Sequence, residues 1–125
     1  MSGPLGLPLP LLTDSYKASH FAIYPPAKQV TAYGEFRSGF KHDTNDTRMI
    51  FYGLRYILDT YIAKPWTQQD VDMVEGFFST HNAGFTPYPF PKELFRKFVD
   101  ENKGFFPVTI EAMPEGSVVY PHIPV

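Results

Sequence analysis

Cysteine is missing from all 125 positions of the chain, which rules out disulfides and thiolate-ligated metal sites. An excess of positive charge is missing as well. Lys and Arg number 11 against 13 Asp and Glu, giving a net charge of -2. That balance argues against a nucleic-acid footprint, which needs a basic face, and against a polybasic membrane contact. No apolar run is long enough to span a bilayer. The apolar opening Met1–Leu12 carries no Lys or Arg and is broken by Pro4, Pro8 and Pro10, so it makes a poor secretory signal. There is no Gly-rich phosphate loop and no Gly-x-Ser-x-Gly elbow. His20, His42, His81 and His122 never stand four apart, and no carboxylate completes a pattern such as His-Glu-x-x-His. A metal site built by this chain is therefore not expected. What the chain does hold is aromatic: 12 Phe, 8 Tyr and 1 Trp, with 43% hydrophobic residues overall. One domain with one core can be built from this, and most of the rings must pack inside it.

Pro and Gly punctuate the chain into short elements. Residues 1–12 read as an extended arm stiffened by proline, and residues 13–125 as the domain proper. Thr13-Asp14-Ser15 offers cap oxygens for a short helix from about Ser15 to Ile23, stopped by Pro25-Pro26. Gln29 to Arg37 alternates, with Val30, Ala32, Gly34 and Phe36 on one face, which predicts a half-buried strand. Residues 38–47 are polar and read as a loop. Ile50 to Ile62 carries an apolar stripe at helical spacing. Thr67 caps a second helix, with Asp70 in the place of a capping box and Val71, Val74, Phe77 and Phe78 as the buried stripe. After a loop from Ala83 to Pro91, Pro91 suits the first turn of a third helix, and Gly104 suits the position just past its end. Phe106 to Met113 alternates again, and Ser117 to Tyr120 starts a last strand after the turn Pro114-Glu115-Gly116. The sum is a small α+β unit with a few antiparallel strands and three to four helices. Its last strand has little chain after it to pair with, which points to a truncated unit.

Two places stand out chemically. Asp14, Tyr16, Lys17 and His20 crowd one helix start, where Tyr16 and His20 share a face. The helix end and Lys17 favour an anion, and the Tyr16 ring can stack on a flat partner. A plain cap with solvated polar residues explains the same cluster. Arg37 ends the first predicted strand, and its planar fork suits a phosphate. A contact with Glu35 or with solvent explains it equally well.

Three blocks add what spacing leaves open. Leu12-Thr13-Asp14-Ser15-Tyr16-Lys17 with His20 and Tyr24-Pro25-Pro26, then Phe51-Tyr52-Gly53-Leu54-Arg55-Tyr56-Ile57-Leu58, then Ile110-Glu111-Ala112-Met113-Pro114-Glu115-Gly116 closely resemble the opening of nicotinamide phosphoribosyltransferases. The related nicotinate-specific enzymes share the Thr-Asp-x-Tyr opening, but Ser15, Lys17, His20 and Pro25-Pro26 look more like the nicotinamide branch.

The resemblance implies transfer of phosphoribose from phosphoribosyl pyrophosphate to nicotinamide, giving nicotinamide mononucleotide for NAD biosynthesis. It also implies a cytoplasmic homodimer, with Mg2+ assisting at the pyrophosphate without being held by this segment, and with ATP coupling as an option. Tyr16 matches the tyrosine that stacks on nicotinamide from the neighbouring subunit. Arg37 matches an arginine at the phosphate end, also given in trans, and Asp14 matches the acidic neighbour of the stacking tyrosine. The second stacking aromatic, the catalytic His and the main phosphate loops of the family come later than Val125, so no catalytic residue is expected here. The unit is expected to stop before the family's α/β barrel-type domain. Residues 38–48 and 83–91 depart from the family pattern. A non-catalytic truncated paralogue that acts as an interaction or dimerisation module, pairing with a full-length relative, is the competing expectation. A piece of a nicotinate phosphoribosyltransferase and an inert remnant are two more.

Overall fold

Thr67 opens the best-specified element of the chain. In the computed structural model, which describes residues 6–39 and 45–125, its hydroxyl oxygen accepts from the Asp70 N–H at 3.2 Å. The Asp70 carboxylate accepts in return from the Thr67 N–H at 2.8 Å. The expected capping box is therefore present, and it satisfies two donors that a helix start otherwise leaves open.

In chain order the elements are a 3-10 turn Leu9–Leu11, a 3-10 helix Ser15–Ala22, β1 (Met49–Ile50) and α1 (Leu54–Ile57), which runs into a π turn Leu58–Ile62. Then come α2 (Gln68–Thr80), β2 (Asn82–Ala83), β3 (Thr86–Pro87), α3 (Lys92–Asn102) and β4 (Val118–Val119). Both strand pairs are antiparallel, β1 with β4 and β2 with β3. The fold class is α+β, as the sequence predicts. The residues group into two units, Met1–Pro26 with Ile57–Pro107, and Ala27–Tyr56 with Val108–Val125. Residues 1–5 of the predicted arm and residues 40–44 of the predicted loop, with Lys41 and His42, lie outside the described residues.

The first unit is built on α2 and α3. Val71, Val74 and Phe78 are fully buried along α2. Phe77, expected in the same stripe, is 45% exposed. At about 100° per residue it falls on the flank of that stripe, where its ring stacks on His81 at 5.1 Å. Trp66 is 4% exposed. Its ring stacks on Phe95 at 5.4 Å and meets Phe98 and Phe106 edge-on. Along the outside of the two helices, Arg96 reaches Asp72 at 2.8 Å and Glu75 at 3.2 Å, and Lys92 reaches Glu75 at 2.6 Å. The Lys92 hydrogen bond is the main reason that the Glu75 carboxyl lies below its ordinary value.

Helix α3 ends where the sequence predicts. Lys103 turns left-handed at φ 52°, Gly104 follows at φ 78°, and the Gly104 N–H donates to the Val99 carbonyl at 3.0 Å. Glycine is required twice at this position. Its φ is costly for any other residue, and a Cβ would collide with the Trp66 carbonyl oxygen. The Trp66 N–H donates to the Gly104 carbonyl at 2.9 Å and locks the approach. The predicted loop after α2 contains the short β2–β3 hairpin, turned at Gly84 with φ 75°.

In the second unit, Met49 pairs with Val119 and Ile50 with Val118. The Phe51 N–H donates to the Ser117 carbonyl, and the Gly116 N–H donates to the Phe51 carbonyl. Glu115 Oε1 accepts from the N–H groups of Gly53 and Arg55 at 2.9 and 3.0 Å, placing negative charge at the start of α1. The second and third sequence blocks thus interlock through backbone bonds, which is a structural role.

Three predicted elements are corrected. The helix expected from Ile50 begins at Leu54, because Met49–Ile50 is drawn into the ladder with β4 and Gly53 takes φ 101°. The strand expected over Gln29 to Arg37 has no ladder among the described residues. It makes one bridge, Glu35 to Pro124, flanked by donation from the His122 N–H to the Phe36 carbonyl and from the Val125 N–H to the Gly34 carbonyl. Pro121 and Pro124 have no N–H, so the facing segment cannot extend the pairing. The strand expected over Phe106 to Met113 is unpaired for the more general reason that alternation specifies a face and supplies no partner. Val30 and Tyr33 are accordingly 72% and 74% exposed.

Candidate functional site

Ser15, Tyr16 and Ser19 lie on the 3-10 helix Ser15–Ala22, in the first unit. The Ser15 hydroxyl and His81 Nε2 are hydrogen-bonded at 2.8 Å, the ring tautomer setting which atom donates. The Ser19 hydroxyl meets the Tyr88 hydroxyl at 3.3 Å and donates to the Tyr16 carbonyl at 2.8 Å. His81 and Tyr88 are themselves held against Phe78, at ring distances of 6.0 and 5.8 Å. A short helix with little stability of its own is thus fixed by two side-chain contacts, one to His81 at the end of α2 and one to Tyr88 just after β3.

Tyr16 is left 52% exposed on this anchored helix. Its ring lies 5.2 Å from the His20 ring at a 48° tilt, and His20 lies 5.7 Å from Tyr24. The shared face of Tyr16 and His20 expected from the sequence is present, and it extends to Tyr24 as a row of three rings. One edge of such a row is available for a flat, electron-poor ring.

Asp14 takes the cap position but makes no side-chain capping bond, contrary to the expected cap chemistry. Its carbonyl accepts from the Lys17 N–H at 3.1 Å instead. The three-residue spacing of a 3-10 helix closes that first turn through the backbone. The Asp14 carboxylate is exposed and points to no assigned task.

Arg37 belongs to the second unit. It is exposed and forms no ion pair or hydrogen bond with any other described residue. The contact with Glu35 weighed as an alternative is absent, because His122 Nδ1 engages Glu35 Oε1 at 3.3 Å. Among the described residues, no three His, Asp or Glu side chains converge on one point. No helix of the described residues is long and apolar enough to cross a membrane.

Sequence reasoning did not find the anchoring roles of Ser15, Ser19, His81 and Tyr88. The partners lie 66 and 69 positions apart, and such pairs leave no local signature. The one readable signal was the placement of His81 directly after the last turn of α2.

The described residues form a small α+β unit that presents a half-exposed tyrosine on a helix held by side-chain contacts. Residues 8–110 match the family model described as nicotinamide phosphoribosyltransferase, N-terminal domain. The chain is also similar to a protein named nicotinamide phosphoribosyltransferase from Xanthomonas campestris pv. campestris (strain 8004). The two are 38% identical over 113 residues, covering 90% of this chain and 22% of that relative. The chain belongs to the nicotinamide phosphoribosyltransferase N-terminal domain family, and it spans about a fifth of the length of the curated relative it matches.

Proposed function

We propose that this chain is the N-terminal part, lending substrate-binding residues, of an enzyme that transfers phosphoribose from phosphoribosyl pyrophosphate to nicotinamide. The products are nicotinamide mononucleotide and pyrophosphate, the enzyme works in the cytoplasm, and its active site is completed by a neighbouring subunit of a homodimer. In that reaction the ring nitrogen of nicotinamide bonds to the ribose C1. The bond from C1 to the pyrophosphate oxygen breaks, and the pyrophosphate leaves with the electron pair. The transition state needs the base held in line and the leaving charge matched. Tyr16 provides the flat surface that holds the base, and the Arg37 fork contacts the phosphate end. The observation that carries this reading is the half-exposed Tyr16 ring on a helix fixed by Ser15–His81 and Ser19–Tyr88, within the region that matches the family. Asp14 is proposed only as a neighbour of the stacking ring.

The test supplies the chain with the portion of the Xanthomonas relative beyond the matched region. The chain alone should form no nicotinamide mononucleotide, and the combination should. In the combination, Tyr16→Ala should weaken nicotinamide binding by about 5- to 150-fold, the effect of losing stacking worth about 1–3 kcal/mol. Lys17→Ala should weaken it less. Equal nicotinamide affinity in the wild type and Tyr16→Ala removes the assignment. A preference for nicotinate over nicotinamide in the same assay would move the chain to the nicotinate-specific branch.

A second reading is favoured by the exposure of Val30, Tyr33, Val108 and Ile110 on unpaired alternating segments. In this reading the chain is a non-catalytic module that pairs with a full-length relative and modulates it. Its mark would be altered turnover of the intact relative when the chain is added, with no product from the complementation mixture.

A further inference from the structure

Within the first unit, an open cleft of about 320 Å³ runs between the 3-10 elements at the start of the chain and the aromatic cluster around Trp66. Leu12 and Ala18 form one wall, and Trp66, Phe95 and Phe106 form the other. Among the described residues lining it, Lys17 is the only charged one, and its side chain pairs with no other described residue. The volume is at the small end of the range for ligand cavities, about 300–1,000 Å³, which are mostly apolar with a few polar groups that fix orientation.

We propose that this cleft binds a small amphipathic anion, a medium-chain carboxylate, with its hydrocarbon body against Trp66, Phe95 and Phe106 and its carboxylate on the Lys17 ammonium. Three observations fix the chemistry. Aromatic and aliphatic carbons make up most of the lining, which selects an apolar body. The lining contains a cation and no carboxylate, which selects a negative head over a neutral or positive one. Lys17 is exposed at the rim, so the head stays wet while the body is buried, as suits a snorkelling lysine. The proposal is independent of the transferase reading, because neither Tyr16 nor Arg37 lines this cleft.

The cleft carries its own reporter. Trp66 is the only tryptophan of the chain, so its emission reads occupancy directly. The 125-residue chain would be titrated with octanoate, octanol and octylammonium, each below its micelle concentration. Octanoate should change the emission saturably and bind about fivefold tighter than octanol, the size of one exposed ion pair, with octylammonium weakest. Shortening octanoate to hexanoate should cost up to about fifteenfold, as two methylenes leave the cleft. Lys17→Met, which keeps the apolar stem, should bring octanoate to the octanol level, and Lys17→Arg should restore the preference. Any of three results overturns the proposal: no saturable response, equal affinity for the three head groups, or an octanoate affinity unchanged by Lys17→Met.

Discussion

The Ser15 hydroxyl and the His81 imidazole meet at 2.8 Å across 66 positions of chain, and this one contact ties the segment bearing Tyr16 to the end of α2. Because the 3-10 helix has few bonds of its own, its order depends on such anchors. Ser15→Ala should therefore raise amide exchange between Lys17 and Ile23 by about fivefold, matching a hydrogen bond worth about 1 kcal/mol. Exchange within α3 should not change. Hydrogen exchange followed by mass spectrometry reads both. Unchanged protection over Lys17–Ile23 would mean that packing alone holds the helix.

Arg37 is exposed, and the carboxylate nearest in sequence, Glu35, is engaged by His122. If Arg37 is kept for phosphate, Arg37→Ala in the complemented enzyme should raise the KM for phosphoribosyl pyrophosphate by about tenfold. That corresponds to losing a charge-assisted bond worth about 1.5 kcal/mol. Thermal stability of the chain should not change. A steady KM returns Arg37 to a solvated surface role.

Gly104→Ala should be among the costliest single-methyl changes in the chain. The left-handed backbone penalises any Cβ by about 1–2 kcal/mol, and the Trp66 carbonyl occupies the space that the methyl needs. A loss of about 2–4 kcal/mol is expected once overpacking is added. Urea unfolding followed by Trp66 emission measures it, and a loss below about 1 kcal/mol would contradict the packing described.

Asp46 gives a pH prediction. The Arg48 guanidinium holds both carboxylate oxygens, at 2.9 and 2.7 Å, and the Arg48 N–H adds a third bond at 3.0 Å. The side-chain bond is the larger cause, and together they bring the Asp46 carboxyl from 3.8 to about 2. A lowered carboxyl value stabilises the folded form fully above the ordinary value, and that contribution is lost as pH falls through about 2. Carbon NMR of the carboxyl should show a midpoint near about 2 in the wild type. Arg48→Ala should return it to the ordinary range.

The parts of this molecule that were legible in the sequence are those with local causes. The capping box of Thr67 and Asp70 spans three residues, and its partners are fixed by helix geometry. The end of α3 at Gly104 is set by one backbone angle, and Tyr16 and His20, four positions apart, bring their rings to 5.2 Å. The strands at Gln29–Arg37 and Phe106–Met113 were misread because a ladder requires a second segment, and the alternation of the first says nothing about where that segment is. Asp46 and Arg48, which the sequence reading did not pair, lie two positions apart, whereas Ser15 and His81 lie 66 apart. For the candidate site, Tyr16 and Arg37 stood out by residue type and position, and the roles proposed for them come from the family resemblance. The residues that support Tyr16 came from the fold.

Glu115 accepts from Gly53 and Arg55, residues 62 and 60 positions earlier. A nascent chain leaving the ribosome releases those two amides about 3–12 s before Glu115 is made, at about 5–20 residues per second. During that interval all of Ile57–Pro107 is synthesised, and the first unit has every residue it needs. Condensation of that intervening stretch shortens the effective loop that Glu115 must later close. Synthesis order therefore makes every residue of the tryptophan-centred unit available before the Glu115 contacts can close.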